Sequence, residues 1–134
     1  MAYEFNRNLQ DSAYTSTVAL IAAGGNSATF DLEQVIGGDI EKVVFEIASP
    51  AAPSLIDGKV VTYTFKDSPD GTTFTVVDPT IVMTTATTTG STGLVAKTVR
   101  FRLPPITKRY VRVEYTVTAT PTGLSGSMVA KLLF

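Results

Sequence analysis

Apolar and polar residues alternate along most of this chain with a period of two, the pattern of β-strands that bury one face. β-Branched and aromatic residues are frequent in these runs, and glycine, proline, asparagine and aspartate separate them. The pattern predicts strands over Thr15–Ile21, Ala28–Leu32, Lys42–Ile47, Lys59–Asp67, Thr72–Val77, Ile81–Thr85, Lys97–Leu103, Arg109–Thr118 and Ser127–Phe134. Eight or nine short antiparallel strands indicate an all-β fold, a jelly-roll-like or Greek-key β-sandwich.

The most distinct hairpin joins Lys59–Asp67 to Thr72–Val77 through the turn Ser68-Pro69-Asp70-Gly71. In such a turn the proline fixes φ and the glycine accepts a positive φ. Val61, Tyr63 and Phe65 share one face of the first strand, which we expect to point into the interior. We expect the second strand to return on the core side, so that Phe74 and Val76 also face inwards. Ser49–Gly58 is expected to be a loop because Pro50 and Pro53 interrupt it. The polar segment Thr84–Gly93 is expected to be an exposed loop.

The last predicted strand, Ser127–Phe134, is largely apolar on both faces, because Met128, Ala130 and Leu132 alternate with Val129, Lys131 and Leu133. The chain as a whole is 44% hydrophobic and only 17% charged. One face of the last strand is therefore expected to meet either a second sheet or a partner subunit.

The segment Met1–Tyr14 has no clear period and combines aromatic with charged residues. We interpret residues 1–14 as an extended N-terminal arm and residues 15–134 as one sandwich domain. Tyr3, Phe5 and Arg7 are of the residue types enriched at protein interfaces, which favours an arm that docks on a partner over a frayed terminus.

The composition narrows the classes of function. The chain has no histidine, cysteine or tryptophan, so catalytic and metal sites built on imidazole or thiolate are excluded. A net charge of −1 gives no support to nucleic-acid binding. No signal peptide and no membrane-spanning apolar run is found, so we expect synthesis in a cytoplasm, without membrane association.

Carboxylates and arginines are the remaining candidates for chemistry. Asp67 and Asp70 flank the hairpin turn, where they could hold calcium, although turn capping is the commoner role of aspartate there. Asp31 and Glu33 could form a carboxylate pair or a solvated strand edge. We expect no catalytic residue, metal, cofactor or small-molecule substrate.

Three arginines are predicted to line one outer face, either as a contact surface or as ordinary cross-strand partners of glutamates. They are Arg100, Arg102 and Arg112.

The C-terminal block is the most recognisable part of the sequence. Phe101-Arg102-Leu103-Pro104-Pro105, followed by Arg109–Val117, resembles a segment of the small cement (decoration) proteins of tailed phages, of the Bordetella-phage cement-protein type. Phe30-Asp31-Leu32, Gly37-Gly38, Val43–Ile47 and the hairpin also fit that family, so the similarity touches most of Ala28–Phe134. These motifs are structural and only moderately specific.

The resemblance implies a jelly-roll protein that forms homotrimers on the outside of an icosahedral phage head. Its partner would be the major capsid protein, whose neighbouring subunits it would bridge and stabilise. It would be located on the outer surface of the virion. The family has no catalytic residues to carry over. A second resemblance is to discoidin-type carbohydrate-binding modules, through Ser68–Phe74 and Arg109–Val113. The chain departs from that pattern, since it lacks tryptophan for sugar stacking and cysteines.

Overall fold

The structure is a computed structural model, and it describes residues 14–32, 43–55, 59–78, 81–86, 93–118 and 121–133. These residues contain no helix and form ten strands. The strands are β1 (Thr15–Ala19), β2 (Gly25–Asn26), β3 (Phe30–Asp31), β4 (Val44–Ser49), β5 (Val60–Ser68), β6 (Thr75–Val76), β7 (Val82–Ala86), β8 (Lys97–Arg102), β9 (Tyr110–Val117) and β10 (Ser127–Leu133).

The strands form two antiparallel sheets that enclose one core. One sheet has the order β1-β10-β4-β8. In the other, β9 and β5 are the central pair, with β2 and β3 along the free edge of β9 and with β6 and β7 along the free edge of β5. We call the first the four-stranded sheet and the second the six-stranded sheet. In the six-stranded sheet, β2 and β3 together occupy one edge position and β6 and β7 the other, so both sheets are four strand positions wide. The chain crosses between the sheets in jelly-roll order, and the predicted fold class is confirmed.

Aromatic side chains from both sheets meet at the centre of the sandwich. Phe45 of β4 is fully buried, and its ring centroid lies 5.1 Å from that of Phe65, 5.6 Å from Phe101 and 5.8 Å from Phe30. Such pairs each contribute about 0.5–1.5 kcal/mol beyond the burial of their area. Alternate apolar residues of β4, β5, β8, β9 and β10 pack in the core, in agreement with the period of two in the sequence.

The prediction for the second strand of the hairpin is wrong. Val76 is 45% exposed, and Phe74 lies under the guanidinium of Arg112, 4.0 Å from it, on the outer side of the sheet. The cause is the register, in which Val76 pairs with Lys66. Cross-strand partners point to the same face of a sheet, and Lys66 points outwards. Gly71 has the predicted positive φ, of 78°.

Both segments that were predicted as loops contain buried residues. Ala52 and Leu55 are fully buried, and Ala52 forms a two-way backbone bridge with Leu94. The Thr84–Gly93 prediction fails at its start, because 84–86 belong to β7 and Thr85 is buried. The remainder, 87–92, lies outside the described residues.

Two tyrosine hydroxyls from the six-stranded sheet connect it to the other sheet. The Tyr115 hydroxyl donates to the Ala19 carbonyl and accepts from the Ile21 N–H, both at 3.0 Å. The Tyr63 hydroxyl lies 2.7 Å from the Ser49 Oγ in the buried interior. Burial raises the pKa of Tyr63 above its ordinary value, so this hydroxyl stays protonated at neutral pH.

Replacing Tyr115 by phenylalanine should destabilise the protein by about 1–2 kcal/mol, since it leaves two backbone groups at the end of β1 without their partner. Tyr110 of the same strand is the matched control, because its hydroxyl makes no hydrogen bond in the described structure, and Tyr110→Phe should leave stability nearly unchanged. Urea unfolding of both variants measures the difference. Equal midpoints would show that the Tyr115 bridge does not stabilise the fold.

Candidate protein-binding site

The three arginines predicted to share one face lie on opposite sides of the molecule. Arg100 and Arg102 are on β8, in the four-stranded sheet, whereas Arg112 is on β9, in the six-stranded sheet. The sequence pattern correctly shows that all three point away from the core, but the chain changes sheets between β8 and β9. The other predicted contact residues, Tyr3, Phe5 and Arg7, lie outside the described residues.

Arg112 is engaged within its own sheet. Its guanidinium lies over the Phe74 ring and 3.8 Å from Glu114, which also accepts a 2.9 Å hydrogen bond from Lys66. The Arg112 side chain is three-quarters buried, and its Nε atom has no hydrogen-bond partner among the described residues. The ion pair of Arg112 lies along β9, because Glu114 is two residues further on the same strand, and the direct cross-strand neighbour of Arg112 is Lys66. The alternative interpretation, cross-strand pairing with a glutamate, therefore does not describe Arg112.

A row of polar side chains crosses the outer face of the four-stranded sheet. Thr15, Lys131, Glu46 and Arg100 are successive cross-strand partners on β1, β10, β4 and β8. Glu46 is only 8% exposed, accepts a hydrogen bond from Arg100 Nε, and lies 3.8 Å from Lys131 Nζ. One carboxylate therefore neutralises two cations at the centre of this face.

The neighbouring row forms a depression at the end of the same face. Leu133, Val44 and Arg102 are cross-strand partners on β10, β4 and β8. Together with Arg100 and Phe101 they line a cavity of about 320 Å³ that opens to solvent. Its described lining is apolar apart from the two arginines. We call it the Arg102 depression.

The candidate acidic sites have structural roles. Asp70 accepts hydrogen bonds from the Ser68 hydroxyl and from the Thr72 and Thr73 N–H groups, which hold the pKa of its carboxyl well below the usual range. Asp67 is buried and accepts from the Lys108 N–H at 2.8 Å. The contacts of Asp70 match the predicted turn role, whereas Asp67 holds the backbone of Lys108, which is distant in sequence. Within the described ranges, no three histidine, cysteine or acidic residues are grouped to hold a metal ion.

Asp31 also has a defined partner. Both of its carboxylate oxygens accept hydrogen bonds from Arg109, each at 3.0 Å, at the edge where β3 meets β9. Glu33, its proposed companion, lies outside the described residues. The bidentate pair fixes β3 against β9, which is a structural task.

Comparisons with known proteins give no family assignment. A scan against models of protein families finds no match, and a search of curated proteins finds none either. No helix in the described part of the chain is long and apolar enough to cross a membrane. The site must therefore be interpreted from its own geometry.

Replacing Asp70 by alanine should destabilise the protein at neutral pH, because three donors in the turn lose their acceptor. The carboxylate has a lowered pKa in the folded state, so its stabilising effect is present above the ordinary aspartate value and fades as the pH falls through the folded value. The stability difference between the wild type and Asp70→Ala should hence narrow from about pH 7 to about pH 2. Denaturant unfolding at several pH values measures it.

Asp70→Asn is the matched variant, since it keeps an acceptor oxygen without the charge. It should lie between the wild type and Asp70→Ala at neutral pH. A pH-independent difference between the wild type and Asp70→Ala would contradict the role assigned to the ionised carboxylate.

Proposed function

We propose that this protein is a capsid decoration protein, which binds the outside of an icosahedral phage head and bridges major capsid subunits. The observation that carries the proposal is the Arg102 depression, an apolar recess with an exposed arginine on an outer face of the jelly roll. The resemblance of Phe101–Pro105 and Arg109–Val117 to tailed-phage cement proteins supports the same function. Arg102 belongs both to that segment and to the depression.

The distribution of charge favours a surface role over a chemical one. The described carboxylates of Asp31, Glu46, Asp67, Asp70 and Glu114 all hold strands, loops or turns in place. Their oxygen atoms are engaged in contacts that hold the fold together, and a decoration protein requires no carboxylate for catalysis. What this chain offers to a partner is the shape, apolar area and positive charge of its outer face.

Purified protein should co-sediment with undecorated, expanded heads of the phage that encodes it and should raise their melting temperature. The reason is linkage, because a ligand that binds only the assembled shell stabilises that shell against disassembly. Calorimetry of heads with and without the protein measures the shift. Saturable binding to a glycan array without binding to heads would support the carbohydrate-binding alternative instead.

A variant without residues 1–10 tests the proposed contribution of Tyr3, Phe5 and Arg7. It should fold and bind heads more weakly than the full chain. Full affinity of the folded variant would assign all contact to the sandwich, and loss of folding would show that the segment is part of the core.

The proposed assembly on the head is a homotrimer. Light scattering at micromolar concentration should give about three times the chain mass of 14.2 kDa, because apolar area on the outer face is expected to be buried between subunits. A monomer in solution that also stays monomeric on heads would contradict this part of the proposal.

A further inference from the structure

Arg102 differs from every other lysine and arginine in the described part of the chain. The other described cations each have an interaction within the chain; Lys66, Arg100, Lys108, Arg109, Arg112 and Lys131, for example, all pair with carboxylates. Lys97 donates to the Thr84 carbonyl, and Lys59 is also engaged. Arg102 is exposed and has no hydrogen bond or ion pair with any of the described residues. Its five N–H donors are available to a partner.

The surface beside Arg102 is apolar. Val44 and Leu133 continue the cross-strand row that begins at Arg102, and Phe101 adds to the lining. A recess of about 320 Å³ is large enough for an apolar side chain together with an adjoining carboxylate. Planar guanidinium groups bind carboxylates through two parallel hydrogen bonds.

The charge on the described part of this face favours an acidic partner. The outward positions of the described strands β1, β10, β4 and β8 carry three cations, Arg100, Arg102 and Lys131, against one carboxylate, Glu46. Glu46 is nearly buried beneath its two partners. The charge that remains towards solvent is positive, and an approaching acidic surface would be attracted to it.

We propose that the Arg102 depression binds a surface segment of a partner protein in which an aspartate or glutamate adjoins a large apolar side chain. The carboxylate pairs with the Arg102 guanidinium, and the apolar side chain enters the recess between Val44 and Leu133. That the partner is a capsid subunit rests on the proposed function. The chemistry of the bound segment rests only on the site.

Short peptides test the chemistry directly. Acetyl-Phe-Glu-amide at millimolar concentration should shift the NMR signals of residues 44, 101, 102 and 133 in a saturable way, and acetyl-Phe-Lys-amide should not. Arg102→Glu should weaken the binding of Phe-Glu about tenfold, because an attractive charge-assisted pair becomes a repulsive one.

Lys97→Glu is the matched control, since Lys97 lies on the same strand, is exposed and gives the same change of charge. It lies about 17 Å from position 102 at the rise of an extended strand, and it should leave peptide binding almost unchanged. Thermal melts of both variants check that each is folded. An absence of shifts with Phe-Glu, equal binding of Phe-Lys, or equal losses in both variants would overturn the inference.

Binding to heads separates this inference from the proposed function. If the wild type binds heads and Arg102→Glu binds as well as Lys97→Glu does, the function stands and the Arg102 depression is not the contact. If the wild type binds Phe-Glu but not heads, the site stands and the partner is another acidic protein.

Discussion

The pairing of β4 between β10 and β8 is the constraint on which both the core and the candidate site depend. The pleat of this central strand sends Phe45 and Ile47 into the interior and Val44 and Glu46 to the outer face. A slip of one residue would bury Glu46 among aromatic rings, at a cost of several kcal/mol for an unpaired charge. The register that assembles the aromatic cluster therefore also fixes the Arg100–Glu46–Lys131 row and the Arg102 depression outside.

The sequence allowed the class of fold and most of the core to be predicted, because each sheet has one face in the interior. Where one face is buried, the period of two assigns side chains directly, as at Val111, Val113 and Tyr115 of β9. The same reasoning failed at Phe74 and Val76. At these residues the alternation itself was correct, but which of them face inwards depends on the number of residues in the turn. The Asp70 hydrogen bonds extend the turn to Thr73, and this length places Val76 opposite the outward-facing Lys66.

The candidate site was predictable only in part. Alternation showed that Arg100, Arg102 and Arg112 point outwards, but it carries no information about which sheet a strand joins. The proline pair that ends β8 gave no sign that the chain crosses to the opposite sheet before β9. The Arg102 depression depends on residues from three strands that are distant in sequence, Val44, Arg102 and Leu133, so a pattern within one segment could not reveal it.

The position of β8 at the edge of its sheet gives Arg102 a second possible role. Charged side chains on an edge strand discourage pairing with the edges of other molecules, because docking would desolvate them. Lys97, Arg100 and Arg102 all suit that task, and a charge of either sign performs it. The edge alone therefore does not explain why the outer face has three cations and one shielded carboxylate, or why the free cation adjoins the apolar recess. Recognition of an acidic partner accounts for the sign, the location and the missing internal partner of Arg102 together.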